Sequence, residues 1–120
     1  RFSENKARLL ENLIYIELRR RGKEVFYFSG KNECDFLKKK GFQIDEAIQV
    51  VWHIDKLNIQ REINGLEEAM TEYDLPFGTL ITAETEQSEL VSNENIKVVP
   101  AWKWLLNEKK KIKNYEIIIR

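Results

Sequence analysis

The order in which hydrophobic periods succeed one another is what most narrows the folds open to this chain. From about Ala7 to Arg21, Leu10, Leu13, Ile14 and Leu18 recur at helical spacing, and Gly22 stands where a helix would stop. Glu24 to Ser29 is then rich in aromatic and branched residues and ends at a Gly30-Lys31-Asn32 turn. Two more extended runs follow, Glu33 to Lys38 and Glu46 to Val51, with a turn expected at Lys39 to Gly41. Connections this short predict hairpins, hence a three-stranded antiparallel meander. The third run, Ala47-Ile48-Gln49-Val50-Val51, is apolar on both faces except at Gln49, which is the pattern of a central strand.

Helical spacing returns from Asn58 to about Tyr73, with Ile59, Ile63, Leu66 and Met70 inward, Asn58 as cap and Glu62 placed for a capping-box contact. Pro76 and Gly78 close the connection, and Thr79 to Thr82 reads as a short buried strand. A strand reached through a helix is expected to lie parallel to the strand before it. Ala83 to Asn95 is polar and loop-like, Ile96 to Pro100 is a peripheral strand, and Ala101 to Glu108 is a helix carrying Trp102 and Trp104. The pattern leaves the state of Tyr115 to Ile119 open. The fold expected is α/β: a mixed central sheet, with an antiparallel meander plus a parallel strand after a crossover helix, flanked by helices.

A chain of 120 residues fits one domain with its own core. Twenty basic and twenty acidic residues cancel, so no global field draws the chain onto nucleic acid or anionic lipid, and any such binding must be local. The single Cys34 excludes an internal disulfide and a multi-cysteine zinc site, and fits a reducing cytoplasm. No apolar run approaches the roughly 20 residues that span a bilayer, so no membrane partner is expected. The chain opens on Arg1, which predicts a fragment of a longer protein. It lacks a glycine-rich phosphate loop, so no nucleotide site is expected within it.

A helix, three strands, a crossover helix and a fourth strand resemble the common core of the PD-(D/E)XK nuclease superfamily, the restriction-endonuclease-like fold. Glu11-Asn12-Leu13-Ile14-Tyr15, Glu17-Leu18-Arg19-Arg20-Arg21-Gly22, Gln49-Val50-Val51-Trp52, Arg61-Glu62-Ile63-Asn64-Gly65-Leu66 and Gly78-Thr79-Leu80-Ile81-Thr82 occur in order. Together they resemble the C-terminal domain, of unknown function, that follows the ATPase module in many prokaryotic AAA+ proteins. The resemblance runs through Thr82 and implies a single PD-(D/E)XK nuclease-like domain over residues 1–120, with that ATPase module as partner.

In the superfamily an acid on the first helix, an Asp on the second strand and an acid-x-Lys on the third converge on a hard divalent cation, and the lysine positions the attacking water. The resemblance places Glu11, Asp35 and Gln49 at the metal positions, for Mg²⁺ or Mn²⁺, and Val51 where the lysine belongs. A valine cannot donate a proton, carry charge or orient a water. The expectation is therefore a nuclease-like accessory domain that has lost hydrolysis and binds DNA or a partner. One rival is a Mg²⁺-dependent endonuclease in which Lys56 or Arg61 replaces the missing cation. Another is a purely structural or regulatory interaction domain.

Each residue also has a plainer reading. Glu11 fits a solvated helix face, and Asp35 a satisfied polar residue on a strand. Gln49 must find hydrogen-bond partners, because an unpaired buried amide costs roughly 1 to 3 kcal/mol. His53 fits a surface or core-satisfied histidine better than a general base. Arg19, Arg20 and Arg21, like Lys38, Lys39 and Lys40, are candidate phosphate contacts or simply solvated charge. Phe26, Tyr27 and Phe28 are expected to pack against a helix, and Trp102 with Trp104 to cover a sheet edge or a partner domain.

Overall fold

The computed structural model describes residues 2–84 and 87–107. Helix α1 (Phe2–Arg20) leads into strands β1 (Glu24–Ser29), β2 (Glu33–Lys40) and β3 (Gln43–Val50). Helix α2 (Ile59–Glu72), strand β4 (Gly78–Thr82), a short 3₁₀ turn (Ser88–Leu90) and strand β5 (Ile96–Pro100) follow, and a last helical stretch occupies 101–107. The expected meander and parallel strand are both present. The sheet order is β1-β2-β3-β4-β5, antiparallel across β1 to β3 and parallel from β3 through β5.

Two apolar layers clamp this sheet. On one face Leu10, Ile14 and Leu18 of α1 pack with Ile48, Val50, Ile81, Val99, Ala101 and Trp104. On the other Ile63, Leu66, Ala69 and Met70 of α2 pack with Cys34, Leu37, Ala47, Val51, Ile54 and Leu80. Burial of apolar area on both faces accounts for the near-continuous hydrophobicity of β3 and β4. Glu17 binds Arg20 and Arg21, and Arg21 lies 4.2 Å over the Trp104 ring while donating to the Trp104 carbonyl at 3.3 Å. This joins the C-terminal helical stretch to the end of α1.

Several expectations are corrected in detail. β2 and β3 continue through the lysine run, pairing Lys39 with Ile44 and Lys40 with Gln43. The turn falls at Gly41, whose φ of +64° suits glycine. Phe26 and Tyr27 lie exposed on the edge strand, and only Phe28 joins the α2-side core. Asn58 forms no side-chain cap at α2. Instead its Oδ1 accepts from the Asp55 amide at 2.9 Å, and Asp55 Oδ1 accepts from the Leu57 and Asn58 amides. Trp104 is buried in the core while Trp102 is exposed. The expected helical residue Glu108 and the run Tyr115 to Ile119 lie outside the described residues. Among the described residues no helix is long and apolar enough to cross a membrane.

Candidate functional site

The sheet forks at one end, and the fork builds the site. β2 and β3 pair from Lys40 and Gln43 only as far as Phe36 and Ile48. Beyond that point Glu33 and Cys34 stay with β1, whereas Gln49 and Val50 stay with β4. Backbone groups facing the gap need partners, and two side chains supply them. Gln49 Oε1 accepts from the Asp35 amide at 2.9 Å, while its Nε2 donates to the Glu33 carbonyl at 2.9 Å and the Glu62 carbonyl at 3.0 Å. Asp35 Oδ2 in turn accepts from the Val50 amide at 2.8 Å. The buried Gln49 is thus a clasp joining β2, β3 and α2, with its amide engaged by three backbone groups.

Because the strands part here, side chains from both helical layers reach the same opening. An open cleft of about 680 Å³ is lined by Glu11 of α1, Glu33 and Asp35 of β2, Gln49 and Val50 of β3, and Arg61 and Glu62 of α2, with Trp52 and His53 at its wall. Burial pushes the Asp35 carboxyl up to about 7, with the charges of Glu11, Glu62 and Glu33 adding to the rise against the Val50 amide. Burial likewise raises Glu11, opposed by Arg8, and raises Glu62, opposed by Arg61. A hydrogen bond to Glu33 lifts the Tyr27 phenol to about 12. The cleft is therefore an acidic space whose carboxyls disfavour one another's charge.

The residues singled out in the sequence divide sharply. Glu11, Asp35, Gln49 and Arg61 converge on the cleft, and Lys56 is exposed outside its lining. Arg61 reaches Glu62 at 3.5 Å. Val51 is buried in the α2-side core and also borders the cleft. Lys38 pairs with Glu46 at 3.0 Å and Asp45 at 3.7 Å, and Lys39 with Glu24 at 4.0 Å, so these lysines and Arg19 to Arg21 lie away from the cleft. Sequence reasoning missed Glu62 and Glu33 as cleft acids. Glu62 was legible as an acid in the first turn of α2, but its direction depends on how that helix crosses the fork.

Among the described residues no group of three or more His, Cys, Asp or Glu side chains stands together as metal ligands. Gln49, the third expected ligand, directs its amide at backbone. No family model matches the chain, and no solved structure matches it. The chain is similar to an uncharacterized protein of Methanocaldococcus jannaschii, 35% identical over 119 residues that take in 88% of this chain and 26% of that protein. The chain thus spans about a quarter of the length of the curated relative it matches.

Proposed function

We propose that this chain is a restriction-endonuclease-like accessory domain of a AAA+ type ATPase that has lost phosphodiester hydrolysis and binds a protein partner, the ATPase module of the same polypeptide. The order of elements and the forked sheet support the fold reading. The short span of the relative that the chain covers is in keeping with a domain of something longer.

The Gln49 clasp carries the loss of hydrolysis. A divalent cation needs several free oxygen ligands, and phosphodiester attack needs a positioned water beside it. Here the amide that would be a ligand holds the fork together, and the position expected for lysine is filled by the buried Val51. An acidic cleft without its cation repels a phosphate backbone, which favours a protein partner over DNA.

The test is an incubation of the chain with supercoiled, linear and single-stranded DNA and with RNA, each in Mg²⁺ and in Mn²⁺, beside Asp35→Asn. The expected result is no cleavage above the Asp35→Asn control. Metal-dependent cleavage that disappears in Asp35→Asn would overturn the reading and restore the endonuclease alternative, with Arg61 as the replacement cation to examine.

A further inference from the structure

A bulge between β1 and β2 shapes a second surface beside the cleft. Between the pairs Phe26 with Leu37 and Phe28 with Cys34, β1 has the single residue Tyr27 and β2 has two, Asp35 and Phe36. An extra residue in one strand re-aims the side chains around it. Phe36 packs against the α1-side core, and its ring lies 6.3 Å from that of Tyr15 on α1, with 23° between the planes. Val25 packs against the same core, and Tyr27, two residues along the strand, shares its face. Tyr15 and Tyr27 are 46% and 58% exposed. Rings from α1, β1 and β2 thus form an aromatic shelf open to solvent. The shelf meets the cleft at two carboxylates: Glu33 accepts a hydrogen bond from the Tyr27 hydroxyl, and Glu11 stands one turn before Tyr15 on α1.

We infer that this shelf, with the carboxylates at its end, docks an arginine side chain presented by a partner protein. Charge sets the sign of the occupant. The cleft lining carries six acidic side chains against two basic ones, Lys31 and Arg61. Arg61 lies beside Glu62 and Arg8 bears on Glu11, but among the described residues no basic side chain forms an ion pair with Glu33 or Asp35. Carboxylates alone would accept any cation, and the rings narrow the choice. A guanidinium is flat, stacks on an aromatic face and meets a carboxylate through two parallel N–H groups, which an ammonium cannot do. The fold already holds one such stack, Arg21 at 4.2 Å over the Trp104 ring. The inference rests on the reading of the chain as a protein-binding domain and names the chemistry of what it binds.

Titration of the isotope-labelled chain with hexaarginine, hexalysine and hexaglutamate, followed by nuclear magnetic resonance at physiological salt, tests it. Hexaarginine is expected to saturate below about 1 mM, with amide shifts confined to the surroundings of Tyr15, Tyr27 and Glu33. Hexalysine is expected to bind about threefold more weakly, and hexaglutamate not at all. The double variant Tyr15→Leu with Tyr27→Leu, its fold checked by circular dichroism, should weaken hexaarginine about tenfold and abolish the preference over hexalysine. Glu33→Gln should weaken both basic peptides, whereas Glu72→Gln, at the far end of α2, should change neither. Equal binding of the two basic peptides with shifts scattered over the surface overturns the inference, since that is general attraction between charges. So does hexaarginine binding that survives the double leucine change, or no binding at about 1 mM. Failure to bind, without DNA cleavage, removes the arginine occupant and leaves the loss of hydrolysis standing. Metal-dependent cleavage beside intact hexaarginine binding does the reverse.

Discussion

Asp35 gives the molecule an unusual response to pH. Its carboxyl is raised from an ordinary 3.8 to about 7, so between those values the folded chain holds a proton that the unfolded chain has released. Stability must therefore fall as pH rises across that window, by up to about 1.4 kcal/mol per pH unit. Glu11 and Glu62, raised by the same burial, act in the same direction. Glu17 acts oppositely and lower, because hydrogen bonds and charge from Arg20 and Arg21 hold it at about 2, so its contribution is lost only as pH falls below about 4.5. Urea denaturation between pH 4 and 8 is expected to show greatest stability near the acid end, then a decline toward pH 7. Asp35→Asn keeps an acceptor for the Val50 amide and should flatten that decline. An unchanged slope would mean that Asp35 is ionised in the fold. The sequence made Gln49 and Asp35 visible as polar residues in a sheet, but not that each replaces part of the missing ladder between β2 and β3.

The elements were more legible than their junctions. Hydrophobic pattern placed α1, α2 and strands β2 to β5, each of which buries apolar residues that recur locally in sequence, while β1 showed through its aromatic and branched content. What period could not place was the fork, which depends on contacts between elements distant in sequence. Gly65 shows why. In sequence it is a glycine inside a helix, where alanine would be favoured by roughly 1 kcal/mol. In the fold, a Cβ there would stand 1.9 Å from the Glu33 carbonyl oxygen and 2.9 Å from Gln49 Nε2. Helix α2 thus presses against the departing end of β2 at the one residue with no side chain. Gly65→Ala is expected to destabilise the chain by about 2 kcal/mol or more despite its better helix propensity, since backbone must shift and the clasp opens with it. The measurement is the urea midpoint. A stabilised Gly65→Ala would show that α2 does not bear on the fork.

At the scale of the whole molecule, charge decides which macromolecule the surface can hold. The net charge is zero, and among the described residues several basic side chains already face carboxylates. Glu17 engages Arg20 and Arg21, Asp45 and Glu46 engage Lys38, and Glu24 lies within reach of Lys39. The cleft adds Glu11, Glu33, Asp35 and Glu62. Binding to a phosphate backbone draws most of its free energy from released counterions, in proportion to the phosphates neutralised. Side chains that already face carboxylates can release few. Fluorescence anisotropy with a labelled duplex at physiological salt is therefore expected to give a Kd no tighter than roughly 10⁻⁴ M, with a log–log salt slope shallower than about −2. Lys38→Ala and Lys39→Ala should leave that weak binding unchanged, because each lysine spends its charge within the sheet. A steep slope lost on those substitutions would mean that the ion pairs open to take phosphate, and the lysine-bearing end of the meander, outside the lining of the acidic cleft, would then be the nucleic-acid surface.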